Sequence, residues 1–158
     1  MTRQDVADAL AQYRAGLQTG IELLRQLQNV ADRQREGSES RDFKQLAAEA
    51  DTRNRLTHLL VAIEPGLRDV RAFLASQSDE ALVDQPDYPE VMSLRQAAAD
   101  LVAAILKSDG ASMRALADAE LAHRAARANL ECGEATLAAY RRVLTPPVAS
   151  ASLLNVRG

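Results

Sequence analysis

The chain has 158 residues, 47% of them hydrophobic but only 3% aromatic, and carries a net charge of −3. That length fits one domain, and a core drawn mainly from Leu, Val, Ile and Ala suits helices lying side by side better than a thick globule. Seven glycines and five prolines are too few for the turns of an all-β domain, the charge balance offers no basic field for nucleic acid, and the single cysteine, Cys132, excludes an internal disulfide or a cysteine-rich metal knuckle.

The first predicted helix spans Thr2 to about Arg35. Val6, Leu10, Tyr13, Leu17, Gly20, Leu24, Leu27 and Ala31 recur at alternating spacings of four and three, which is a heptad seam. Thr2 and Asp5 make an N-terminal cap. Gly20 weakens the helix by about 1 kcal/mol relative to Ala and lets a neighbour approach. The polar run Gly37-Ser38-Glu39-Ser40 reads as the linker that ends the helix.

The second runs from Asp42, at capping-box spacing from Gln45, to about Ser76. Its stripe is Leu46, Leu56, Leu60, Ile63, Leu67, Val70 and Leu74, with a polar interval from Glu49 to Asn54 that reads as solvated. Pro65-Gly66 falls in mid-pattern, yet the stripe keeps phase across it, which favours one kinked helix over two. Ser76 to Glu90 holds Pro86, Pro89 and five acids without a base, an exposed acidic loop with room for a short turn at Glu80–Val83.

The third helix opens at Asp87-Tyr88-Pro89-Glu90, with proline in its first turn, and carries Val91, Leu94, Ala98, Leu101 and Ile105 to Ser108-Asp109-Gly110. There it either bends tightly or runs on with a kink, with Asp109 placed to cap the next helix. A fourth, long helix is expected from Ser112 to Leu144. Its seam is Leu116, Ala119, His123, Ala126, Leu130, Gly133, Leu137, Tyr140 and Leu144. Ala119, Ala126 and Gly133, seven residues apart, read as a line for close helix packing. Arg141 and Arg142 complement the helix dipole, and Thr145-Pro146-Pro147 ends the helix. The fold class is all-α: an elongated antiparallel bundle or coiled coil of three to four long helices, one domain over 1–144, and a flexible tail over 145–158.

Signatures of chemistry are sparse. Glu120-Leu121-Ala122-His123 is one Glu-x-x-His pair, but His58 is preceded at that spacing by Arg55, so the second pair of a di-iron bundle is missing and no metal is expected. Cys132 reads as a small packing residue, and Gly16 and Gly20 lie within a helix rather than a phosphate loop. No cofactor and no enzymatic activity are expected. The polar start lacks a secretory h-region, and no apolar run approaches the roughly 18 residues of a membrane span. A reducing cytoplasm is the expected location. The tail is acid-free and carries Leu153, Leu154 and Val156; it either folds back on the bundle or docks on a partner.

The order of features resembles a known family. An amphipathic first helix precedes Asp42-Phe43-Lys44-Gln45-Leu46 and Arg55-Leu56 through Leu67-Arg68. After the acidic break come Ile105-Leu106-Lys107-Ser108-Asp109, the helix with Gly133, Ala138-Ala139-Tyr140 and a proline-containing tail. This is similar to the small flagellar type III export chaperones of the FlgN/FliT kind. The resemblance implies a non-enzymatic binding protein that holds the helical terminal segment of a hook-associated or cap protein and passes it to an export gate component. By position it assigns partner contact to Leu130, Leu137, Tyr140 and Leu144 on the last helix. The tail residues Leu153 and Leu154 join them as expected contacts. The other expectation is a structural coiled-coil homodimer or adaptor, paired through the seam of the first helix.

Overall fold

A computed structural model describes residues 2–117 and 123–145, and among these it contains helices and no strand. The fold is all-α: four long helices and one short one. They are α1 (Arg3–Ser40), α2 (Phe43–Ala75), α3 (Asp79–Val83), α4 (Tyr88–Leu116) and α5 (His123–Leu144).

The heptad seam of α1 forms the centre of the core. All eight residues expected on it are buried. A row repeating every three or four residues covers one side of a helix and must be covered by neighbours. Here α2 and α4 flank α1, and α5 packs on α2 and α4 to close the fourth side. The seam is therefore filled by the chain itself and offers no face to a second copy, contrary to the expected route to a homodimer. Side-chain pairs fix the directions. Arg14 meets Asp87 and Glu90, and Ser108 meets Asp32, so α4 runs with α1. Arg33 meets Glu49, so α2 runs against α1. Asn129 meets Asn54 and Arg71 meets Thr145, so α5 runs with α2.

Three boundaries differ from expectation. Helix α1 does not stop before Gly37 but continues to Ser40. The Ser38 and Ser40 hydroxyls donate to the carbonyls of Gln34 and Glu36 at 2.7 and 2.8 Å, so residues that compose a linker instead stay helical. The turn is then confined to Arg41, held at φ 57 in the left-handed region, and Asp42, whose side chain accepts from the Gln45 amide at 3.1 Å. The acidic stretch is more than a solvated loop. Its short helix α3 buries Leu82, and Asp87 and Glu90 hold Arg14 of α1 at 3.1 and 3.2 Å. Finally, α4 runs straight through Ser108-Asp109-Gly110 and ends at Leu116. Of the expected helix from Ser112 to Leu144, the described residues form the end of α4, which closes at Leu116, and a separate helix α5 from His123. Helix α2 continues through Pro65, as expected. Proline and Val61, the residue four before it, both lie on the outward side, where water can meet the carbonyl left without a donor.

The polar interval of α2 is exposed at Asp51 and Asn54, as expected, but not at Arg53. Arg53 is fully buried, and its guanidinium donates to both carboxylate oxygens of Asp109 on α4 at 2.6 Å. It also donates to Gln34 of α1 at 2.9 Å. Gly133 of α5 lies against the same guanidinium: a Cβ there would sit 2.5 to 2.9 Å from three of its atoms. The glycine therefore makes room for an arginine rather than for a neighbouring backbone.

Removing one partner of a buried pair strands the other charge, at a cost of about 3–5 kcal/mol. Arg53→Met is expected to lose that much in urea unfolding, and Arg53→Met with Asp109→Leu to regain most of it. Gly133→Ala separates two effects. Helix propensity alone would stabilise by about 1 kcal/mol, whereas crowding of Arg53 predicts a lower melting temperature. The crowding account requires the sign to reverse when Gly133→Ala is placed in the Arg53→Met background.

Candidate functional site

The residues expected to contact a partner lie on α5. Leu130, Leu137, Tyr140 and Leu144 are all buried, as is Val143 beside them. The seam that suggested a binding line faces α1, α2 and α4, which cover it. Leu130 joins Leu46 and Leu116 in a small cluster at one end of the bundle, with half-buried Ala126 packed against it. The other three belong to the main core. In this closed form none of the four presents its side chain to solvent, because an apolar stripe this regular is buried first by the chain's own helices. Leu153, Leu154 and Ala119 lie outside the described residues, as does Glu120 of the Glu-x-x-His pair.

The last turn of α5 is held by two neighbouring helices. The Tyr13 hydroxyl of α1 donates to the Val143 carbonyl at 3.0 Å. Arg71 of α2 donates through Nε to the Thr145 carbonyl at 2.8 Å. These two donors satisfy carbonyls that a helix end leaves without partners. Tyr140 points inward, and its hydroxyl lies over Gly20 of α1, where a Cβ would overlap it. Gly20 thus admits a tyrosine side chain, not a second backbone. The Tyr140 hydroxyl is buried and has no hydrogen-bond partner among the described residues. Burial pushes the phenols of both Tyr140 and Tyr13 above their ordinary value; the nearby Arg95 and Arg71 partly offset this at Tyr13.

Two depressions reach the surface beside these residues. A shallow one of about 70 Å³ lies between α2 and α5, with Tyr140 at its floor and Val61, Glu64, Thr136 and Ala139 around it. Val61 is 51% exposed. A longer groove of about 370 Å³ lies between α1 and α2, lined by Ala15, Gly16, Thr19, Ala62, Gly66 and Val70 among others. Leu59 and Val61, large apolar residues off the inward stripe of α2, carry the sequence signal for exposed apolar surface.

Cys132 is exposed rather than a packing residue. Among the described residues no group of three or more His, Cys, Asp or Glu is placed to hold a metal ion. No described helix is long and apolar enough to cross a membrane. No family model matches the chain, and no curated protein or solved structure matches it.

The tyrosines yield a pH dependence. A phenol whose pKa is raised in the fold contributes stability that is fully present below the unfolded value of about 10 and lost as pH rises beyond it. Thermal melts are expected to fall above about pH 10, with a smaller fall in Tyr140→Phe. At neutral pH Tyr140→Phe should be no less stable than the parent, since it removes an unpaired buried hydroxyl. Tyr13→Phe should lose about 1 kcal/mol with its hydrogen bond. Equal losses in the two variants would contradict this arrangement.

Proposed function

We propose that this protein is a cytoplasmic, non-enzymatic export chaperone that holds the amphipathic helical segment of a secreted flagellar axial protein and hands it to the type III export gate. The reading rests on the resemblance in the order of sequence features, and three structural features agree with it. The fold is a slender helical bundle, the kind of surface onto which an amphipathic helix lays its apolar face. The shallow depression between α2 and α5 is lined in part by one expected contact residue, Tyr140, which stays buried beneath it. The half-exposed Val61 beside it supplies apolar area that the fold itself does not cover. This last observation supports a site for the proposal: an exposed valine next to the last helix is apolar area that a partner's apolar stripe would cover.

Co-expression with hook-associated and cap proteins tests the reading. A chaperone raises the soluble yield of one of them and is captured with it. Val61→Asp should lower that capture at least about tenfold, because a buried carboxylate without a partner costs more than about 1.4 kcal/mol, while circular dichroism stays unchanged. If no axial protein gains solubility and none is captured, the chaperone reading fails. Capture that is indifferent to Val61→Asp would retain the function but move the site.

A further inference from the structure

The outward side of α2 carries a second pattern, distinct from the stripe that faces the core. Arg55, Leu59, Ala62, Gly66 and Asp69 succeed one another at spacings of four, three, four and three, and all five are exposed. That spacing places them in one line along the helix. Leu59 is 47% exposed. Gly66 has no heavy atom within 4 Å of the position a Cβ would take. The line therefore holds a projecting leucine and, seven residues on, a glycine with open space above it. The groove between α1 and α2 adjoins that space and is lined by Gly66 together with the small residues Ala15 and Gly16.

We propose that this face is a self-association surface, on which two copies of the chain pair their α2 helices antiparallel about Ala62. A twofold interface needs each feature and its complement on the same surface, related by the axis, and this face meets that condition. With the axis at Ala62, position 59 of one copy faces Pro65 of the other, and Gly66, next along the line, leaves the space beside it into which each Leu59 enters. Position 55 faces position 69, so Arg55 of each copy meets Asp69 of the other. A parallel pairing would set Arg55 against Arg55 and Asp69 against Asp69, so charge selects the antiparallel arrangement. Both charges are available. Arg55 makes no ion pair among the described residues, and the Asp69 side chain is 80% exposed and touches only Arg68, at 3.9 Å. A second copy is thus the occupant for which this face supplies both the projecting leucine and the open space and both signs of charge. Val61 points well round the helix from this line, toward α5, so the two surfaces are separate.

Sedimentation velocity over a wide concentration range tests the proposal. The parent chain is expected to be a dimer at high concentration. Leu59→Asp should make it a monomer without changing helicity, or the melting temperature measured at concentrations where the parent is also monomeric, since the residue is half exposed in the single chain. Arg55→Asp and Asp69→Arg alone should each raise the dissociation constant by about two- to thirtyfold, as two symmetry-related exposed pairs are lost. The double variant, with both charges exchanged, should restore it. A monomer at every concentration, a dimer unmoved by Leu59→Asp, or a double variant no tighter than either single one would each overturn the proposal. A free chain that is monomeric at every concentration, with capture of an axial protein lost in Leu59→Asp, would place that partner on this face instead.

Discussion

The buried pair of Arg53 and Asp109 is the point at which all four long helices are tied together. Arg53 comes from α2, Asp109 from α4, the second acceptor Gln34 from α1, and the glycine that makes room for them from α5. The rest of the core is mostly Leu, Val and Ala at heptad spacing. Such a core has a ready competitor in itself: sliding one helix by seven residues sets leucine against leucine again. A slip of that kind would leave a guanidinium or a carboxylate buried without its partner, several kcal/mol worse than the native register. An apolar pair of similar volume would give comparable or greater stability, but no such penalty. The Gln34 amide extends the polar group outward by donating to Asn129, which in turn donates to Asn54 at 2.7 Å. Register is thereby specified toward the end of the bundle where α1 turns into α2, by a contact that an apolar seam alone does not supply.

The same feature explains what is and is not legible in the sequence. The α1 seam can be read because eight consecutive positions stay in phase and each is apolar or small. Asp109 cannot, since within Ser108-Asp109-Gly110 it looks like a turn, and its partner lies 56 positions away. Arg53 is hidden in the same way by the polar residues around it. The converse case is the end of α4. Arg114-Ala115-Leu116-Ala117 holds neither glycine nor proline, so nothing local announces that α4 ends at Leu116. Punctuation residues mark turns only where no distant side chain claims them. The serines of Gly37–Ser40 show this too, because their hydroxyls bond to the preceding turn and keep it helical.

Small residues on a seam likewise point to the wrong neighbour. Gly20 and Gly133 lie on seams and suggest close approach of helices. Each instead receives the end of a long side chain, Tyr140 in one case and Arg53 in the other. Glycine in a helix records only that something needs the space of a Cβ; it does not say whether that something is backbone or side chain. The distinction matters for α5, since both glycine contacts bind it to the body of the bundle.

That attachment bears on where a partner can act. Periodicity cannot say whether the apolar stripe of the last helix is filled by the chain or left for another molecule, and here the chain fills it. Displacing α5 would expose Leu130, Leu137, Tyr140, Val143 and Leu144, at a cost of about 10 kcal/mol in apolar burial alone. It would also uncover the Arg53–Asp109 pair. A cost of that size is comparable to the whole stability of a typical domain. A partner would have to offset it before gaining any affinity. Docking on the outer faces of α2, where Leu59 and Val61 are already half exposed, carries no such cost. The physical preference is therefore for recognition on the outside of a closed bundle, with α5 serving as part of its wall.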